Sequence, residues 1–184
     1  MYMMRGATVL TWNQYTPQIA ADVFIASGAR LMGQLTIGSL ANIWFNTVIR
    51  GDVNYIQIGE KTNIQDNTTV HVDSRKYPTI IGREVTIGHN AIIHACTIGD
   101  GALIGMGAII LDGAVIPEQS LVAAGSLVSP GKTFPPRMMI KGQPAVAVRP
   151  LTEAELVALA RSASHYVQLS QSYYPLCPAP LAEA

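Results

Sequence analysis

The sequence predicts a mainly β chain, a solenoid of short parallel strands with one α-helix packed along its outside. Three observations carry that reading. Aliphatic residues recur every six positions through most of the chain. Only 13% of the 184 residues are charged and 7% aromatic, although 49% are hydrophobic. That charged share is about half of the usual ~25%, and bulky core material for a helical bundle is scarce. A capped, helically spaced segment follows the last repeat.

Taken in order, residues up to about 22 form an N-terminal cap, and the repeat runs over about 23–130. Its anchors are Ile25, Leu31, Ile37, Ile43 and Ile49; Ile58, Ile64 and Val70; Ile81, Ile87 and Ile93; then Ile98, Ile104, Ile110, Ile116, Val122 and Val128. Four residues after each anchor but the last stands Ala, Ser, Thr or Val, Leu35 excepted. A helix repeats at 3.6 and a half-buried strand at 2, so neither sustains a period of six. Each hexad reads as a short strand with one large inward side chain, a small one near the corner, and a turn. Stacked coils then satisfy one another's backbone groups.

After the repeat, Pro130, Pro135, Pro136, Pro144 and Pro150 mark an irregular connection. Thr152-Glu153-Ala154-Glu155 reads as a capping box. Leu156, Leu159, Ala163, Tyr166 and Leu169 follow at helical spacing, which predicts a helix over about 152–172. The tail from Pro175 is Pro/Ala-rich and expected to fray. The domain reading is a β-helix over 1–150, and a C-terminal helix and tail of the same domain over 151–184.

Twelve Lys and Arg balance twelve Asp and Glu, so no basic field exists to hold nucleic acid or an anionic membrane. No apolar run reaches the ~18 residues that span a bilayer. Trp12-Asn13-Gln14 interrupts any signal-peptide core, and the expected location is cytoplasmic. Cys96 is expected as a small buried hydrophobe, and no disulfide is expected with Cys177.

The hexad register slips three times: the spacing is nine residues from Ile49 to Ile58, eleven from Val70 to Ile81 and five from Ile93 to Ile98. Such insertions mark binding loops in solenoids. His71, His89 and His94 lie in or beside these breaks. If the slips bulge at corners, Arg50, His71 and His94 stack in one column at about 4.8 Å per step, and two imidazoles come together. His89, Gln65 and Asp66 fall around the corner. Zinc sites commonly take three protein nitrogens and keep an open position. A three-fold trimer would bring His71 and His94 of one subunit to His89 of the next.

Ile49-Arg50-Gly51-Asp52, Asn63-Ile64-Gln65-Asp66, Val70-His71-Val72, Ile87-Gly88-His89-Asn90 and Ile93-His94-Ala95-Cys96-Thr97-Ile98-Gly99, with Gly105-Met106-Gly107-Ala108 and Gly142-Gln143-Pro144-Ala145, closely resemble the γ-class carbonic anhydrase-like family of hexapeptide-repeat proteins. The resemblance covers about residues 10–175. It implies a left-handed, triangular parallel β-helix and a homotrimer. Metal at the subunit interfaces would be held by His71, His89 and His94. It implies interfacial ion pairs from Arg50, Asp52 and Asp66, and a Gln65 that hydrogen-bonds the metal's water or bicarbonate. Tyr166 resembles a tyrosine that some relatives bring over the site, whereas His165 reads as a helix-surface residue. The implied chemistry is reversible hydration of CO2 to bicarbonate by hydroxide generated on Zn2+, with Fe2+ and Co2+ also accepting imidazole.

The chain departs from the family's best-characterised members at two places. Val53 stands where they carry a glutamate, and the loop Asp73-Ser74-Arg75-Lys76-Tyr77-Pro78 lacks their shuttle glutamate. Weak hydration is therefore expected, with Asp73 the one local carboxylate in that loop. The alternative readings are a metal-dependent hydrolase or thioesterase, a catalytically weak metal-binding scaffold, and a hexapeptide acyltransferase.

Overall fold

The computed structural model describes residues 1–178. Short strands stack into two sheets that wind a solenoid with three faces. The first face carries Tyr2–Met3, Phe24–Ile25, Asn42–Ile43, Asn63–Ile64, Thr86–Ile87, Leu103–Ile104, Leu121–Val122 and Met138–Gly142, all parallel. Ala145–Pro150 closes it antiparallel, making nine strands. The other two faces form one 11-stranded sheet, because Arg30–Ile37 and Val48–Ile58 each run round a corner and pair on both sides of it. Ile49 pairs with Val70 on one face, and Ile58 with Ile81 on the other.

The anchors build the core. Ile25, Ile43, Ile64, Ile87, Ile104 and Val122 are each 0% exposed and stack in register inside the first face. A fully buried aliphatic side chain contributes about 1.5–3 kcal/mol. Parallel rungs at a fixed spacing turn the anchors into a continuous ladder. The solenoid is longer than the expected 23–130. Met3, Val9 and Ile19 begin it beneath Ile25, Leu31 and Ile37. At the other end the six-residue step continues through Phe134 to Ile140, which stacks on Val122 and is 0% exposed. The proline-rich connection thus holds a final coil and a hairpin.

Corners demand a left-handed backbone three residues after an anchor. On the first face this position is Gly28, Asn46, Asn67, Asn90, Gly107 and Gly125, with φ between +58° and +79°. Asparagine and glycine tolerate that region, whereas an alanine there costs about 1–2 kcal/mol. Asn46→Ala is expected to lower stability by about that amount and Asn46→Gly to leave it nearly unchanged, read from urea midpoints. At another corner the coils approach closely: a Cβ on Gly59 would meet the Arg83 backbone nitrogen at 2.5 Å.

Where the register slips, the fourth residue is no corner filler, and Val53 is 49% exposed. Cys96 is buried, and burial, with the Asp112 charge behind it, pushes its thiol up to about 12. It is a core hydrophobe, as its surroundings in the sequence suggest.

The helix spans Glu153–Ser172, with Thr152 as N-cap and both halves of the capping box formed. Thr152 N–H donates to Glu155 at 2.8 Å, and Arg149 clamps the same carboxylate through two bonds. Leu159, Ala163 and Ser170 are buried. The helix lies across the first face, where Phe24, Ala26 and Trp44 form a second cluster with Tyr166, Leu169, Tyr173 and Tyr174. The expected fraying at Pro175 does not occur there. Tyr174–Leu176 form a 3-10 turn, and Tyr174 stacks on Tyr2 with centroids 3.6 Å apart. The rest of the expected tail, 179–184, lies outside the described residues. No helix among the described residues is long and apolar enough to cross a membrane.

Candidate metal centre

The column inferred from the register is present. Thr69–His71 and Ile92–His94 lie on successive coils, with His94 directly opposite His71. Their side chains point outward because Val70 and Ile93 point in, and neighbouring residues on a strand face opposite ways. His71 Nδ1 and His94 Nε2 are 3.1 Å apart. Two ligands at ~2.0–2.1 Å on a tetrahedral metal stand about 3.3 Å from each other.

Each ring has a carboxylate on its far nitrogen. His71 Nε2 donates to Asp52 at 3.1 Å, and His94 Nδ1 to Asp112. His89 Nδ1 donates to Asp66 at 2.7 Å. A neutral imidazole that gives its N–H to a carboxylate presents a bare lone pair on the other nitrogen. Between His71 and His94 two lone pairs then face each other across 3.1 Å, an arrangement that a shared cation satisfies. The donor set therefore fits a divalent metal of the Zn2+ type, and the carboxylate behind each ring is the support that such ligands ordinarily have.

Other site residues brace this pair. Arg50 forms an ion pair with Asp52. Burial pushes the Asp52 carboxyl up, but hydrogen bonds from His71 and Arg50 outweigh it and hold the group below the usual range. Asp66 also accepts the Phe45 backbone N–H at 3.2 Å, tying its other oxygen to the coil below. Gln65 is 5% exposed and donates through Nε2 to Asn63 at 3.1 Å, which leaves its carbonyl oxygen available. Asn63 in turn donates to Thr86, whose hydroxyl meets that of Ser162 on the helix at 3.1 Å.

Gln65, His89, Met106, Ser162 and Tyr166 line a cavity of about 250 Å³ on the first face, around the corner from the His71–His94 pair. Tyr166 is set there by the edge-on packing of its ring on Trp44, at 5.6 Å between centroids. Burial, and then the Asp66 charge, push its hydroxyl up, so it remains a proton donor at neutral pH. His165 is exposed on the helix.

One chain thus divides the expected residues into two groups. Arg50, Asp52, His71 and His94 meet on one face, whereas Gln65, Asp66, His89 and Tyr166 gather on another. Among the described residues, no three His, Cys, Asp or Glu side chains of a single chain converge to hold a metal ion. Sequence reading missed Asp112 altogether. The available signal was its place two residues past Ile110, one coil above His94, but an aspartate before a glycine also reads as an ordinary turn. Asp73, the one acid of the loop over 73–78, accepts the backbone N–H groups of Lys76 and Arg75 at 2.7 and 3.0 Å. Those bonds hold its carboxyl below the usual range.

Residues 78–112 match the bacterial transferase hexapeptide (six repeats) family. The chain is 43% identical over 175 residues to gamma carbonic anhydrase 2, mitochondrial, of Arabidopsis thaliana, covering 92% of this chain and 63% of the plant protein. It therefore spans just under two thirds of that relative. It is 53% identical over 154 residues to a probable carbonic anhydrase of Methanocaldococcus jannaschii, covering 84% of this chain and 96% of that one. Among solved structures it is similar to a putative acetyltransferase from Bacillus cereus, with a TM-score of 0.91 and 43% identity over 93% of this chain and 99% of the other.

Proposed function

This chain belongs to the γ-class carbonic anhydrase-like family of hexapeptide-repeat proteins, and we propose that it catalyses the reversible hydration of CO2 to bicarbonate at zinc sites between the subunits of a homotrimer. The observation that carries this reading is the His71–His94 pair, two imidazole nitrogens 3.1 Å apart with an aspartate behind each ring. A third donor is needed, and His89, backed by Asp66, stands on a different face of the same chain. A cyclic trimer brings one such face against the other at every interface.

Held there by His71, His94 and a neighbouring subunit's His89, a Zn2+ ion would supply Lewis acidity that makes water acidic near neutral pH. The chain's own residues position the reactants. The available carbonyl oxygen of Gln65 accepts a hydrogen bond from water or bicarbonate and orients it. Tyr166, neutral at working pH, offers a donor from the helix side of the same cavity. Arg50 and Asp52 hold His71 and so set the angle at which its free nitrogen points.

Asp73 is spent on its own turn, and a carboxyl held below its usual range is a poor shuttle near neutral pH. Asp73→Ala is therefore expected to leave the hydration rate within about twofold, while added imidazole buffer raises kcat by carrying the proton away. A buffer-independent kcat would mean that a relay exists elsewhere on the chain.

The direct test is metal analysis and stopped-flow CO2 hydration on one preparation. The expected result is on the order of one metal ion per chain, with hydration that disappears on chelation and returns with Zn2+. A protein that retains no divalent metal, or whose zinc-loaded form leaves CO2 at its uncatalysed rate, would overturn the reading.

A further inference from the structure

Two of the three supporting aspartates belong to motifs visible in the sequence, Asp52 after Arg50-Gly51 and Asp66 after Gln65. The third, Asp112, stands in the turn after Ile109–Ile110, a strand that stacks one coil beyond Ile92–His94. Its carboxylate reaches back across the coil boundary to His94 Nδ1. We propose that Asp112 is a positioning residue for metal binding, holding His94 as its Nδ1–H tautomer with the Nε2 lone pair turned toward His71. This inference rests on the metal-site reading above.

The turn that carries Asp112 is pinned on several sides. Gly131 N–H donates to the Asp112 carbonyl at 2.8 Å, and Gly113 N–H to the Ala95 carbonyl at 2.7 Å. Gly113 has φ +68°, and the Tyr77 ring occupies the space a Cβ would need, 2.7 Å away. Tyr77 comes from the loop that follows His71, so the segments bearing the two histidines are locked together through this turn. Among the described residues no Lys or Arg pairs with Asp112, and its one ion-pair partner is His94. Its side chain is 40% exposed, so a substitution there removes little packing.

Without Asp112, His94 can carry its proton on either nitrogen and rotate about its ring axis, and only one arrangement leaves the Nε2 lone pair facing His71. The carboxylate also raises the donor strength of the ring. Asp112 touches neither substrate nor metal in this role and acts through His94.

The test compares the full-length wild-type protein with Asp112→Ala and Asp112→Asn. Zn2+ affinity is read by competition with a chelator, the visible spectrum is read on Co2+-substituted protein, and the melting temperature is read on the metal-free forms. Asp112→Ala is expected to weaken Zn2+ binding about 10–100-fold and to shift the Co2+ bands, with the metal-free melting temperature nearly unchanged. Asp112→Asn keeps an acceptor oxygen but not the charge and should fall between the two. If the alanine variant fails to fold, that intermediate affinity of the asparagine variant carries the proposal. Zn2+ affinity within twofold of wild type and unmoved Co2+ bands would overturn it while the metal-site reading stands. A wild-type protein that holds no Zn2+ would remove both.

Discussion

A His71→Ala protein is expected to fold normally, lose its metal, and lose CO2 hydration by well over the roughly 10–100-fold that removal of an outer support costs a metal site. His71 points out of the solenoid, beside the inward Val70, so its removal leaves no cavity among the anchors although its side chain is only 19% exposed. What it removes is one of two nitrogens that meet at 3.1 Å. His89→Ala is expected to produce the same loss, although in a single chain His89 stands around the corner from that pair. The equivalence separates an interfacial site from one built within a chain.

Mixing sharpens the separation. When His71→Ala and His89→Ala chains are unfolded together and reassembled, each mixed trimer should contain one intact interface, formed where a normal His71 meets a normal His89. Metal content and hydration should return in part, although neither parent has either. Activity that stays absent in mixed trimers, or metal content and trimer state that survive unchanged in both single variants, would rule out the interfacial arrangement.

Ile98→Ala is expected to cost about 2–5 kcal/mol, measured by urea unfolding. Ile98 is 1% exposed and stacks between Ile81 and Ile116, on a different face from the strands that carry His71 and His94. In a helical bundle, neighbouring helices can settle into a truncated position. Here the rungs are held apart by their backbone hydrogen bonds at about 4.8 Å, so the cavity persists and the upper part of that range is expected. A loss below about 1 kcal/mol would mean that the coils relax after all, and that the ladder contributes less than its burial implies. Because each coil touches only its neighbours, the damage should be local, and metal-site properties should be retained in the folded fraction.

The repeat was legible because its cause is local. An inward position every six residues must be aliphatic, and Ile, Leu or Val occupies it from Ile25 to Val128. The pattern was lost at both ends for an equally local reason. Phe134 keeps the step but breaks the residue type, which hid the coil ending at Ile140. Met3 and Val9 keep the six-residue step, but ten residues separate Val9 from Ile19, which hid the first coil. The helix was readable to within a residue because Thr152 and Glu155 specify its start through their own hydrogen bonds. The columns of Asn46, Asn67 and Asn90 could have been read as well, since a left-handed corner three residues after an anchor selects asparagine or glycine.

The site was legible only as a set of residue types in broken register. Residue order along this chain settles the solenoid, the placement of the three histidines at its breaks, and the outward direction of His71 and His94, because anchor spacing dictates which side chains face in. Which carboxylate serves which ring was decided by the stacking of coils. Asp52 meets His71 across 19 residues of chain, and Asp112 meets His94 across 18. Those distances depend on how long each corner bulge is and where it leans, which no local propensity encodes. Tyr166 and Gln65 share a cavity for the same reason: the helix lies on the first face because Trp44 and Phe24 offer it an aromatic bed. Periodicity is a property of neighbours in sequence, whereas a metal site is a property of neighbours in space.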